Sequence, residues 1–262
     1  TFEGVREFDQ PVIVHVVTEK GRGYRPAMDR PEHYHGLACF DPDSGKAVKT
    51  GGGPTFSEVF GEAACRLAEQ HSEVVAITAA MRYGTGLTAF AERYPDRFFD
   101  VGIAEEHALV FAAGLAAGGL RPVVAIYATF LQRALDCVFH DICLQRLPVI
   151  CCVDRAGVVE DGPTHHGIHD LGFLRALPEL ALLAPRDADE LSVMLAAAYE
   201  RAMPAIIRYP RAEVPRDMPP VSSLAWGRAE VLREGSDLAI WGLGAEAATA
   251  LLDRYRDLAL AR

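Results

Sequence analysis

Four short stretches of this 262-residue chain concentrate side chains able to do acid–base or anion chemistry. In FFDVGIAEEHALVFAAGLA, Glu105 and Glu106 open an apolar, helix-spaced run. Two readings fit them. Acidic residues in a first turn offset the helix macrodipole; alternatively, a partly desolvated carboxylate in a sheet crevice shares a proton with a bound heterocycle. AIYATFLQRALD puts Tyr127, Phe130 and Arg133 where a strand meets a helix, on the crevice side of a parallel sheet. Core packing would account for Phe130 but not for Arg133. DRAGVVEDGPTHHGIHD gathers Arg155, Glu160, Asp161, His165, His166 and His169 directly after an apolar strand. The three histidines do not match a helical HExxH and no cysteine lies near, so the loop reads as a polar functional loop without a metal. RYPR sets Arg208 and Arg211 after another strand, either as a bidentate phosphate clamp or as a surface pair.

The elements that must position these groups follow from periodicity. Helices are expected over 55–70 (with Thr55 or Ser57 as N-cap), 87–94, 105–118, 129–145 and 187–200. Strands are expected over 74–78, 98–101, 122–127, 149–154 and 205–209. Strands apolar throughout and alternating with helices predict an α/β fold, a mostly parallel sheet with helices on both faces. PVIVHVVT at 11–18 reads as a further buried strand, followed by a Gly-, Pro- and charge-rich loop. GGGP at 51–54 marks a domain boundary. A third piece starts near Trp226, with a strand over 237–241, GLG, and a helix over 245–256. One strand and one helix cannot bury a core alone, so this piece reads as the start of a further domain.

Composition limits the function classes. The chain is half apolar residues and 24% charged, which excludes a disordered tail, a collagen-like repeat or a charged coiled coil. Its formal charge of −10, without a basic block, argues against a nucleic-acid partner. No apolar run reaches the ~18 residues of a membrane span. No signal peptide is visible, and the opening Thr predicts that the natural N-terminus lies further upstream. Six cysteines without a CxxC pair predict buried, reduced thiols and a cytoplasmic setting, a plastid leader remaining open.

HVVTEKGRGYRPA, the HG at His35–Gly36, AMRYGTGL, YPDRFFDVGIAEEHA, IYATFLQRALD, DRAG, DGPTHHG and RYPR occur in this order along nearly the whole chain. Together they resemble 1-deoxy-D-xylulose-5-phosphate synthase, a thiamine-diphosphate-dependent, transketolase-like transferase family. The resemblance implies condensation of pyruvate with D-glyceraldehyde 3-phosphate, loss of carbon dioxide, and a homodimer. It implies that residues 1–50 end a diphosphate-binding domain, 55–220 form the pyrimidine-binding domain, and 225–262 begin a C-terminal domain. It further implies that Glu105 holds the proton at N1′ of the cofactor's aminopyrimidine and that Phe130 stacks on that ring, with Tyr127, Arg133 and Tyr24 as further cofactor contacts. His35 would face the reacting carbon. Asp161 and His165 would meet the acceptor's hydroxyl and carbonyl groups, and Arg155 and Arg211, with Arg208 nearby, its phosphate. His35 and His165 are thereby carried as catalytic residues beside Glu105.

The chain departs from the family in places. Glu106 stands where the family has Gln, Tyr83 where it has Glu, His169 where it has Phe, and the loop before Glu160 is one residue short. The Gly-Asp-Gly motif that binds magnesium in the family does not occur in these residues. The Mg2+ ligands are therefore expected in the preceding domain, and the chain alone is expected to be inactive. The alternatives are a split transketolase C-terminal subunit and a non-catalytic remnant that pairs with a full enzyme.

Overall fold

The computed structural model describes residues 2–36, 39–48, 52–216, 218–228, 230–231, 234, 236 and 241–245. The chain divides into two units, Thr1–Thr50 and Gly51–Arg262. The expected strand over 237–241 and helix over 245–256 fall almost wholly outside the described residues.

The first unit carries two short helices, α1 (Phe2–Val5) and α2 (Arg25–Asp29). Its aromatic cluster sets Tyr34 edge-on to both Tyr24 (5.6 Å) and Phe40 (5.4 Å). The Tyr24 hydroxyl donates to Pro42 O at 2.8 Å and the Tyr34 hydroxyl to Gly45 O at 2.5 Å. Gly45 is required there: a Cβ would lie 2.4 Å from the Tyr34 oxygen, and its φ is +67°. The expected buried strand over 11–18 is not formed. Those residues have no regular structure, and Ile13 and Val17 are 96% and 83% exposed. β-branched residues favour extended backbone, but a strand exists only where a neighbour takes up its N–H and C=O groups. Among the described residues of this unit no such neighbour is present.

The second unit alternates helix and strand. α3 (Phe56–Gln70) starts at a capping box in which the Thr55 hydroxyl accepts from the Glu58 N–H while the Glu58 carboxylate accepts from the Thr55 N–H. Thr55 is thus the cap, and Ser57 is left for another task. Then follow β1 (Val74–Thr78), α4 (Thr88–Arg93), β2 (Phe98–Asp100), α5 (Glu105–Ala117) and β3 (Arg121–Tyr127). The expected helix over 129–145 is a segmented run. α6 (Ala128–Leu131) passes through a tight 3₁₀ turn (Gln132–Ala134) into α7 (Leu135–Cys137), and a wide π-helical stretch (Val138–Cys143) follows. β4 (Ile150–Asp154), α8 (Asp170–Leu174), β5 (Ala181–Leu183), α9 (Ala188–Arg201) and β6 (Ala205–Arg208) complete the unit. α8 and β5, five and three residues long, are not among the elements that the periodicity predicts.

All six strands are parallel, in the order β2-β1-β3-β4-β6-β5. Alternate residues along each strand feed two separate cores. Ala76, Val123, Ala125, Cys152 and Ile207 pack under α3, α4 and α9; Ile77, Val124, Ile126, Cys151 and Ile206 pack under α5, the α6–α7 run and α8. This explains why the strands read as apolar throughout. At the amino edge, Arg121, opening β3, lies 4.2 Å over the Tyr199 ring of α9 and donates to the Tyr199 carbonyl. The Tyr199 hydroxyl donates to Glu73, just ahead of β1, and that bond holds the Glu73 carboxyl below its ordinary pKa.

Candidate functional site

The chain reverses direction across the sheet after β1: β2 lies on one side of it and β3 on the other. In parallel sheets ligands bind beyond the carboxyl ends at such a switch point. The candidate residues of the second unit all leave the sheet at this edge.

Glu105 is delivered by the turn after β2. One Asp100 carboxylate oxygen accepts from the backbone N–H groups of Ala80 (2.8 Å) and Gly102 (3.0 Å), and Gly102, at φ +75°, allows the turn into α5. The Glu105 side chain is 3% exposed and accepts from Arg133 Nη1 at 3.2 Å. Arg133 stands one turn beyond Phe130, so a single helical run carries both. Arg133 also borders an open recess of about 490 Å³ lined by Gln132, Leu135, Asp136, Phe139 and Leu177.

The end of β3 begins a chain of rings. Tyr127 and Phe130 stack at 5.6 Å with 16° between planes, and His165 meets Phe130 edge-on at 5.5 Å. On the Tyr127 ring the Arg155 guanidinium lies at 3.6 Å. Burial raises the Tyr127 phenol above its ordinary pKa despite the Arg155 charge. A Cβ on Gly84 would fall 1.8 Å from the Tyr127 oxygen, so glycine alone admits the phenol there.

Arg155 is itself held from below. Its φ of +63° is unusual for a bulky residue. Asp154, fully buried, accepts from the Arg155 N–H at 2.7 Å and pairs with its Nη1 at 3.1 Å. Arg155 Nη1 also donates to Gly84 O at 3.0 Å. The second Asp154 oxygen accepts from Ser57 Oγ at 2.6 Å, which is the other task of Ser57. Burial pushes the Asp154 carboxyl above the usual carboxylate range, although Arg155 and Ser57 pull the other way.

The loop from Gly157 to Gly167 closes on itself. Gly157 N–H donates to Gly167 O at 2.8 Å and Gly167 N–H to Gly157 O at 2.9 Å. A loop of this length with joined ends is an Ω-loop. The Thr129 hydroxyl donates to Thr164 O at 3.0 Å, which ties the loop to α6. The histidines have separate partners: His165 Nδ1 lies 2.9 Å from the Thr164 hydroxyl, and His166 Nε2 lies 3.2 Å from Val159 O. Among the described residues no three His, Cys, Asp or Glu side chains are gathered to hold a metal ion. Asp161 accepts two bonds from Arg211 Nη1, at 2.9 and 2.8 Å, and Glu160 lies 3.4 Å from Arg211 Nη2. Partial burial works upward on Asp161, but the Arg211 bonds and charge outweigh it and hold this carboxyl below its ordinary pKa. Arg208 is different: its donors go to Asp170 and Gly167 O inside the protein.

Within the second unit the structure therefore brings together Tyr127, Phe130, Arg155 and His165, pairs Asp161 with Arg211 and Glu105 with Arg133, and turns Arg208 inward. Tyr24 and His35 belong to the first unit. There Tyr24 is half-buried among rings, and exposed His35 has Lys20 Nζ 3.1 Å from its Nδ1. Sequence reasoning missed Ser57, Asp154 and Asp170 as site supports. Asp154 stood in DRAG, but nothing local links it to a serine 97 positions earlier.

Residues 53–216 match the family model described as transketolase, pyrimidine binding domain. The chain is 52% identical to 1-deoxy-D-xylulose-5-phosphate synthase 1 of Geobacter metallireducens over 99% of its own length and 43% of that protein's. It is 50% identical to 1-deoxy-D-xylulose-5-phosphate synthase of Acidobacterium capsulatum over 94% of its length and 39% of that protein's. It thus spans about two fifths of the curated relatives it matches. A solved structure named "Split gene transketolase, inactive beta4 tetramer" superposes with a TM-score of 0.70 at 32% identity, covering 80% of this chain and 70% of that one. Transketolase from Leishmania mexicana, at 22% identity and a TM-score of 0.67, covering 81% of this chain and 34% of that one, shares the fold. An all-parallel sheet with polar loops at its carboxyl edge, matched over 53–216, shows that the chain belongs to the transketolase pyrimidine-binding domain family, within which its sequence resembles the 1-deoxy-D-xylulose-5-phosphate synthases.

Proposed function

We propose that this chain supplies the pyrimidine-binding half of a thiamine-diphosphate site, in an enzyme that condenses pyruvate with D-glyceraldehyde 3-phosphate to 1-deoxy-D-xylulose 5-phosphate and carbon dioxide. The observation that carries this reading is Glu105, a carboxylate 3% exposed at the carboxyl edge of a parallel sheet, one side chain away from the Phe130-bearing helical run. The donor set suits an aminopyrimidine. A buried carboxylate can hold a proton at a ring nitrogen, and an aromatic face can lie against the ring. When bound, thiamine diphosphate supplies the electron sink for decarboxylation.

The chain's own residues then have distinct tasks. Glu105 holds the proton at N1′, and Arg133 fixes the carboxylate that does so. Phe130 packs against the pyrimidine, and Tyr127 backs Phe130. Asp161 and His165 orient the acceptor through its hydroxyl and carbonyl groups. Arg211, with Arg155 behind Tyr127, provides fixed positive charge for the acceptor's phosphate. By the sequence resemblance alone, Tyr24 would be a cofactor contact and His35 a group near the reacting carbon. The diphosphate and Mg2+ take their ligands from a preceding domain, of which residues 1–50 are the end; 225–262 begin a third domain. The same reading includes a homodimer in the cytoplasm.

Glu105→Ala in the complete enzyme is expected to lower kcat by about 10²-fold or more, as for a general acid–base group. Retention of more than about a tenth of the rate would reject the N1′ role. A second reading, a split transketolase subunit, is favoured by the split-gene structural neighbour. Donor choice separates the two: pyruvate with carbon dioxide release, against a ketose phosphate without it.

A further inference from the structure

The two arginines of RYPR have different surroundings. Arg211 reaches the loop surface, with its side chain 27% exposed. Arg208 is 9% exposed and its partner Asp170 is fully buried. Arg208 Nε donates to one Asp170 oxygen at 2.8 Å, and Nη2 donates to the other at 3.2 Å and to Gly167 O at 3.0 Å. This side-on geometry fixes direction as well as distance. The guanidinium thereby knots three things: the end of β6, the first residue of α8, and the neck of the Ω-loop. The neck has no slack. A Cβ on Gly167 would lie 2.5 Å from both Ala128 Cβ and Arg155 O. Asp161 and His165 hang from this neck, and His165 lies against Phe130 just beyond Ala128.

We propose that Asp170, acting through Arg208 on the Gly157–Gly167 neck, is a positioning residue that sets the pose of Asp161 and His165 toward the acceptor. This rests on the reading of those two residues as acceptor contacts. A buried ion pair is a weak way to gain stability, because desolvation offsets its attraction. Its bidentate form contributes orientation, and the oriented object here is the loop that carries the polar groups.

The test uses Asp170→Ala and a double variant, Asp170→Asn with Arg208→Met. The double variant removes both charges and leaves neither buried alone, so it remains folded where the single change fails. The first readout, on this chain as it stands, is amide hydrogen exchange. Residues 157–167 are expected to exchange about tenfold or more faster, with β3 and β4 within about twofold. The second readout is steady-state kinetics of the complete enzyme. The KM for glyceraldehyde 3-phosphate is expected to rise about tenfold while that for pyruvate stays within about twofold. Exchange over 157–167 that is unchanged, or that accelerates evenly with β3 and β4, overturns the proposal. So does local loosening in an active enzyme whose acceptor KM does not move. Local loosening in a protein whose unmodified form turns over neither substrate strikes the functional reading instead and upholds the link between Asp170 and the loop.

Discussion

Asp161 and Arg211 face one another through two hydrogen bonds at the loop surface, and each favours the other's charged form. The pair makes two predictions. In the complete enzyme proposed above, Arg211→Ala is expected to raise the KM for glyceraldehyde 3-phosphate about tenfold or more and the KM for pyruvate little, since a charge-assisted bond to phosphate contributes roughly 1.5–3 kcal/mol. Equal effects on both substrates would remove Arg211 from phosphate binding. The second concerns pH. The folded-state pKa of Asp161 lies below its unfolded value, so its stabilising contribution is full above the unfolded carboxylate value of about 3.9 and fades as pH falls through the lower folded value. Protection of the amides in 157–167, measured relative to their intrinsic exchange rate, is therefore expected to fall only under strongly acidic conditions, and more steeply than in Asp161→Asn. A variant with the same acid profile as the parent would contradict the link.

At the scale of elements, close approach decides more than propensity. α3 runs past the loop after β1 so tightly that a Cβ on Gly61 would lie 2.1 Å from the Gly86 carbonyl oxygen. Alanine is normally worth about 1 kcal/mol over glycine inside a helix. Here overpacking against backbone outweighs that gain, and Gly61→Ala is expected to destabilise by about 1–3 kcal/mol in denaturant titration. A variant as stable as the parent would show that α3 can shift. These cases also mark what the sequence could tell. Helix α3, its cap and every strand but β5 were legible in the sequence, from local apolar runs and a local hydrogen bond. The 11–18 run has the composition of a strand and forms none, because strand formation depends on a neighbour that no window contains. Glu105, Tyr127, Phe130 and the loop histidines stood out as residue types at strand ends. Ser57 and Asp154 did not, because they meet across 97 positions, and Asp170 did not, because its partner Arg208 lies 38 positions on. Arg208 and Arg211 looked alike in RYPR, and only packing separates them.

Across the whole molecule the six cysteines report burial independently of function. Cys39 is exposed, while Cys65, Cys137, Cys143, Cys151 and Cys152 are buried and none is in a disulfide. Burial pushes the Cys137 and Cys143 thiols up to about 11 and Cys151 up to about 12. At pH 8 a thiol titrating near 11 is thiolate only about one part in a thousand. A thiol-specific reagent is therefore expected to modify Cys39 quickly and the other five only on unfolding, as read by mass spectrometry of the native and denatured chain. Fast labelling of Cys151 or Cys152 in the native state would mean that the sheet opens locally.

The knot of Arg121, Tyr199 and Glu73 binds the sheet of the second unit at the rim opposite Glu105, Phe130 and the 157–167 loop. The contact that ties β1, β3 and α9 together therefore shares no residue with the carboxyl-edge loops. A substitution in it can loosen that margin without touching any side chain that lines the opposite one.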